Sequence, residues 1–195
     1  MNKKWLVLPA VLVVAAAVVT AINLWPTELK KLREQNLCLG MLTEKTAALL
    51  EDGKGGALLV KESVSNGSGS AGGEADPVFS TTCSVNRENP GGDTMRLQYS
   101  LDVDHSNTLS DPPEGATPMG EGLTGWVGQR KSEVQLPDGC AKKMRRPDAR
   151  YITVSLAVSP VAVVGRDWNY ASLMKDSRTI LVEAAGNLSK QYDCA

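Results

Sequence analysis

The pattern of apolar and polar positions predicts strands in the middle of the chain. Apolar residues alternate with polar ones from Met95 to Val103 and again from Tyr151 to Val158, as expected of strands with one buried face and one hydrated face. Shorter apolar runs at Ala57–Val60, Thr81–Val85 and Trp126–Leu136 also have strand character. The middle of the chain is therefore expected to form about five strands.

Helical periodicity appears nearer the ends of the chain. Thr43 is expected to cap a short helix, and a long helix is expected from Tyr170 to Tyr192. Gly-, Ser- and Pro-rich stretches at Ser65–Asp76 and Asp111–Gly125 are expected to be loops. The predicted fold class is α+β: an antiparallel sheet of about five strands with helices packed on one face. The inward stripe of the long helix is expected to comprise Leu173, Ser177, Leu181, Ala184, Leu188 and Tyr192.

The first residues of the chain predict a membrane anchor. Residues 5–25 carry no charge, and as a helix they would span roughly 30 Å, the thickness of a bilayer core. We expect a cytoplasmic stub at 1–4, a single-pass transmembrane helix at 5–25, a juxtamembrane stalk at 26–37 and an extracytoplasmic domain at 38–195. The alternative is a signal peptide cleaved after residue 21.

Four cysteines bear on the redox environment of the domain. None lies in a C-x-x-C pair, which disfavours structural zinc, and an even number in an exported domain predicts two disulfides. Of three possible connectivities we favour Cys38–Cys83 and Cys140–Cys194, because each would join a helix end to chain on the sheet side. The alternative is four buried free thiols.

Charge limits the choice of partners. The net charge of −1 over 195 residues gives no basic excess, so nucleic acid is not an expected partner. One cluster of positive charge stands out and is a candidate site for an anionic envelope polymer, a lipid headgroup or an acidic partner protein; otherwise it is a solvated loop. The cluster comprises Lys142, Lys143, Arg145, Arg146 and Arg150.

The candidate catalytic and cofactor motifs lie in predicted structural contexts that do not fit the chemistry they would perform. Gly120, Gly122 and Gly125 match G-x-G-x-x-G, but they follow a Pro-rich loop and do not open a helix, as a dinucleotide site requires. His105, the single histidine, lies at the end of a predicted strand, where a polar turn is expected. Trp126 is assigned to packing. We therefore predict no catalytic residue, no metal site and no cofactor.

Several segments resemble uncharacterised membrane-anchored proteins of actinomycetes (streptomycete type). They are an Ala/Val-rich first helix, CLGMLTEKTAALL, GLTGWV, VQLPDGC and a final AAGNLSKQYDC. The resemblance implies a plasma membrane location with the domain facing the wall, and no functional residue can be carried over from it, because such proteins have no assigned activity. The expected function is a membrane-tethered extracytoplasmic binding domain. The alternatives are an envelope hydrolase whose site is invisible in the sequence and an accessory subunit of a membrane complex.

Overall fold

An antiparallel sheet is the frame of the structure, a computed structural model that describes residues 33, 35–64, 76–120, 122–160 and 169–194. Within these residues the sheet has seven strands, in the order β1-β2-β3-β7-β6-β5-β4. The strands are β1 (Leu58–Val64), β2 (Thr81–Glu88), β3 (Met95–Ser106), β4 (Thr117–Gly120), β5 (Leu123–Val127), β6 (Lys131–Gln135) and β7 (Tyr151–Val158). The helices are α1 (Glu44–Ala47), α2 (Cys140–Lys143), α3 (Tyr170–Gln191) and a 3-10 helix (Pro77–Ser80).

The prediction of about five strands is wrong. The expected loop at 111–125 contains β4 and the start of β5, and the expected single strand at 126–136 is the end of β5, a turn and β6. Gly125 shows why the glycine content of this stretch indicated a loop where the structure has strands. A Cβ at this position would overlap the carbonyl oxygen of Glu133, so glycine allows β5 and β6 to approach closely. Here glycine serves a strand pairing and not a loop.

The membrane helix of the predicted fold also finds no support. Residues 5–25 lie outside the described residues, as does all of the predicted stalk before residue 33. Among the residues that are described, no helix is both long and apolar enough to cross a bilayer.

A β-bulge in β3 changes which of its side chains are buried. Val85 of β2 lies opposite Tyr99 and the next residue lies opposite Leu97, so Gln98 is an extra residue in β3. Gln98 and Arg96 are consequently buried, while Met95 and Leu97 are 48% and 39% exposed. The perfect alternation in the sequence predicted the opposite for this half of the strand.

The core lies between one face of the sheet and a layer of helix and chain. Helix α3, capped by the side chain of Asn169, packs against β5, β6 and β7. Next to it the segment that contains α1 buries Met41 and Leu42. The two parts of this layer are joined where Glu183 of α3 accepts a hydrogen bond from the backbone N–H of Thr43 at 2.6 Å.

A buried ion pair closes the end of the sheet beyond the bulge. The Arg96 guanidinium donates to both carboxylate oxygens of Asp52, at 2.7 and 3.1 Å. Its remaining N–H groups donate to the backbone carbonyl oxygens of Glu88 and Gly55 and to the side-chain oxygen of Asn89. The hydrogen bonds from Arg96 lower the pKa of Asp52 to about 2 against the cost of burial. The charges in this cluster are fully engaged in holding the chain before β1 to the β2–β3 hairpin.

Candidate functional site

The face of the sheet opposite α3 presents a row of side chains that crosses five strands. Strand registers place Pro118 opposite Trp126, Trp126 opposite Glu133, Glu133 opposite Ser155, and Ser155 opposite Asp102. Residues paired directly across strands project from the same face. The pairing of the strands therefore lines up an aromatic ring, two carboxylates and a hydroxyl group on the face that α3 does not cover.

A cleft of about 300 Å³ lies at the Trp126 end of this row. The loop between β3 and β4 forms one wall, with Leu109 and Pro112, and Pro118 of β4 contributes a second apolar surface. Polar side chains of the sheet also line the cleft, as in sites where a few polar groups orient a mainly apolar ligand. They are Thr117, Thr124, Glu133 and Gln135.

Two polar groups of the cleft have no partner among the described residues. The indole N–H of Trp126 is buried and donates to no acceptor, and the whole residue is only 7% exposed. Glu133 is 6% exposed, and its carboxylate takes part in no hydrogen bond or ion pair within the described part of the chain. Buried polar groups in folded proteins are almost always paired. An unpaired donor and an unpaired acid in one cleft therefore call for a functional explanation.

Hydroxyl groups engage the acids at the other end of the row. Thr82 donates to Asp102 at 2.6 Å, and Ser155 donates to Asp104 at 3.5 Å. These acids also line a smaller depression of about 170 Å³ beside Phe79. This end of the face differs from the Trp126 cleft because its carboxylates already have partners.

Both disulfides are present, in the pairing that the sequence analysis favoured. Cys38 is joined to Cys83 of β2, and Cys140 at the start of α2 is joined to Cys194. No free cysteine occurs among the described residues. Two disulfides are typical of an extracellular or secreted domain, because cytosolic thiols are kept reduced.

The basic cluster is only partly available for a ligand. Lys143 forms an ion pair with Asp193 at 3.1 Å, and the guanidinium of Arg146 lies over the Phe79 ring at 5.4 Å from its centre. Arg150 lies over the ring of the residue that follows it, Tyr151. Lys142 and Arg145 are exposed and have no ion pair within the described residues. The structure therefore divides the predicted cluster into residues with local partners and two that are free.

The histidine and the glycine motif have local structural roles. His105 packs against Phe79, with ring centres 5.4 Å apart. The residues that the structure describes contain no group of three or more His, Cys, Asp or Glu side chains that could hold a metal ion. Gly120 and Gly122 flank the β4–β5 turn with positive φ angles of 78° and 75°, which favour glycine.

The cleft is not among the features expected from the sequence. Trp126 was expected to serve in packing and residues 126–136 to form one strand, so Glu133 had no partner strand and no visible neighbour. The available signal was the spacing of two residues between Thr124 and Trp126 and between Glu133 and Gln135. In a strand this spacing places both members of each pair on the same face. Recognising it required the β5–β6 hairpin, which the glycine at 125 concealed.

Together these features describe a disulfide-bonded domain of the extracellular type, with one helix-covered sheet face and one open face that carries a cleft. In comparisons with known proteins, no protein family, curated protein or solved structure matches the chain.

Proposed function

We propose that this protein is an exported binding domain whose recognition surface is the open sheet face around the Trp126 cleft. The observation that carries the proposal is the buried, unpartnered indole N–H of Trp126 beside Glu133, an acid without a partner in the described residues, in a cleft with apolar walls. Tryptophan is among the residues most enriched at the centres of protein–protein interfaces, where a polar rim surrounds them. The partner proposed is therefore an exposed segment of another envelope protein.

Indole NMR signals of the full oxidised chain test this function. The chain has four tryptophans, and the signal that is lost in Trp126→Phe belongs to the cleft. Three capped tripeptides serve as probes, with lysine, norleucine or glutamate between two glycines. At least one of them should shift the Trp126 signal in a saturable way.

A filled cleft provides the control for this experiment. Thr124 is exposed at the cleft, so Thr124→Trp should abolish the shift, whereas Ser172→Trp, at an exposed position on α3, should preserve it. If no tripeptide shifts the Trp126 signal, or if the shift survives Thr124→Trp, the proposed binding surface is wrong.

A second candidate function follows from the two free basic residues. Lys142 and Arg145 project from the end of α2, which contacts β7 and is joined by a disulfide to the chain that follows α3. We propose that they bind a phosphate-rich envelope polymer, with soluble polyglycerol phosphate as the probe. Binding should weaken between about 50 and 300 mM salt, because exposed charges are screened. The double variant Lys142→Ser/Arg145→Ser should lose it. Equal binding by wild type and double variant would contradict this role.

Membrane attachment is the part of the proposal that rests on sequence alone. The uncharged stretch at 5–25 supports a tether on the outer face of a plasma membrane, in line with the resemblance to actinomycete proteins. A phosphatase that is active only outside the cytosol, fused after residue 195, should be active in intact cells. Activity only of a cytosolic reporter at the same position would overturn this location.

A further inference from the structure

We infer that the Trp126 cleft is selective for a positively charged aliphatic side chain, a lysine or arginine of the partner segment. The inference rests on the proposed function and names the chemistry that the cleft recognises. It starts from Glu133, a residue only 6% exposed at the cleft, whose carboxylate has no cationic or hydrogen-bonding partner in the described residues. An unpaired buried charge is unfavourable, and a cationic ligand would remove that cost on binding.

The position of Glu133 determines where the cationic head would lie. Strand registers place Glu133 directly between Trp126 and Ser155 on the open face. An ammonium or guanidinium group at Glu133 would therefore lie next to the indole ring, which attracts cations over its face. The carboxylate and the ring would act on the same group.

The walls of the cleft fit the rest of such a side chain. Leu109, Pro112 and Pro118 provide apolar surface for an aliphatic stem of three or four methylene groups. Long basic side chains are suited to sites with an apolar entrance and a charged end, because the stem and the head are recognised separately. A carboxylate ligand would meet Glu133 with like charge.

The charges around the cleft favour the same choice. Among the described residues that line it, Glu133 is the one ionisable side chain, and none of them is a Lys or Arg that could compete for the carboxylate. Asp102 lies two strands away on the same row, about 10 Å from Glu133 at a strand spacing of about 4.8 Å. The described lining of the cleft therefore carries a single negative charge.

The three tripeptides test this selectivity when their affinities are compared. The lysine peptide should bind at least about tenfold more tightly than the norleucine peptide, which has a stem of the same shape without charge, and the glutamate peptide should bind weakest. In Glu133→Gln the preference for the lysine peptide over the norleucine peptide should shrink markedly, because only the indole ring then attracts the cation. Asp148→Asn removes an equal charge at an exposed position away from the cleft and should leave the ratio unchanged.

The outcomes separate the two proposals. Equal affinities of all three peptides for the wild type, or an unchanged ratio in Glu133→Gln, would overturn cation selectivity and leave the binding function standing. Binding of free n-butylammonium as tight as that of the lysine peptide would show that a small amine, and not a protein segment, is the ligand. Retention of the Trp126 indole signal in Glu133→Gln provides the check that the variant is folded.

Discussion

The buried ion pair between Asp52 and Arg96 gives a quantitative prediction about the stability of the domain. Replacing Asp52 by asparagine keeps the shape of the side chain but removes the negative charge to which two N–H groups of Arg96 donate hydrogen bonds. The Asp52 side chain is only 3% exposed, so water cannot replace the lost partner. Breaking one side of such a pair costs about 3 kcal/mol of the free energy of unfolding.

The pKa of Asp52 makes this effect depend on pH. Because the pKa is lowered to about 2 in the folded protein, from about 3.9 in the unfolded chain, the ionised carboxylate stabilises the fold above pH 4. That stabilisation, about 2 kcal/mol, is lost as the pH falls from 4 through 2. The asparagine variant has no such group, so the difference in stability between wild type and Asp52→Asn should shrink by about 2 kcal/mol over this range.

Urea unfolding of the oxidised protein at pH 7, 4, 3 and 2 measures this difference. Asp93→Asn is the matched control, since Asp93 is an exposed acid in the β2–β3 turn without a partner in the described residues. If Asp52→Asn and Asp93→Asn destabilise the protein equally, or if the effect of Asp52→Asn is the same at pH 7 and pH 2, then the ion pair does not stabilise the fold as argued.

Two further predictions concern the disulfide and the strand glycine. The Cys38–Cys83 bridge closes a loop with a sequence separation of 45 residues, so replacing both cysteines by serine should lower the free energy of unfolding by about 4 kcal/mol. Mass spectrometry of the non-reduced wild type should find no alkylatable thiol. The recovery of four alkylatable thiols would refute the bridges. Gly125→Ala should cost about 2 kcal/mol or more, because its Cβ would overlap the carbonyl oxygen of Glu133. Gly186→Ala on α3 meets no atom within 4 Å and should instead stabilise by about 0.5–1 kcal/mol; equal thermal shifts for the two glycine variants would argue against the close β5–β6 contact.

Elements with strong and uninterrupted periodicity were predictable from the sequence. The strand Tyr151–Val158 is confirmed with the same bounds, and the long helix begins at Tyr170 as predicted. Thr43 is confirmed as the cap of α1, since its hydroxyl accepts from the backbone N–H of Thr46. In each case the local pattern and the buried face agree, so no information from distant parts of the chain is needed.

The errors arose where distant contacts override the local pattern. The bulge at Gln98 is set by the pairing of β3 with β2 and by the ion pair that Arg96 makes with Asp52, neither of which the alternation of β3 reveals. The β5–β6 hairpin is similar, because Gly125 is required by a carbonyl oxygen on the neighbouring strand. The Trp126 cleft depends on both that hairpin and a loop wall, so it could not be found before the pairing was known.

The Cys38–Cys83 disulfide has a mechanical consequence. Residues 39–82 lie inside the covalent loop that it closes, and this loop includes α1 and β1. Tension applied to the chain before Cys38 therefore passes through sulfur directly into β2, in the interior of the sheet, and leaves the edge strand unstretched. A tether at the amino-terminal side would therefore pull on this domain through β2, which is paired on both sides. The Trp126 cleft lies near the opposite edge of the sheet, at β4, β5 and β6.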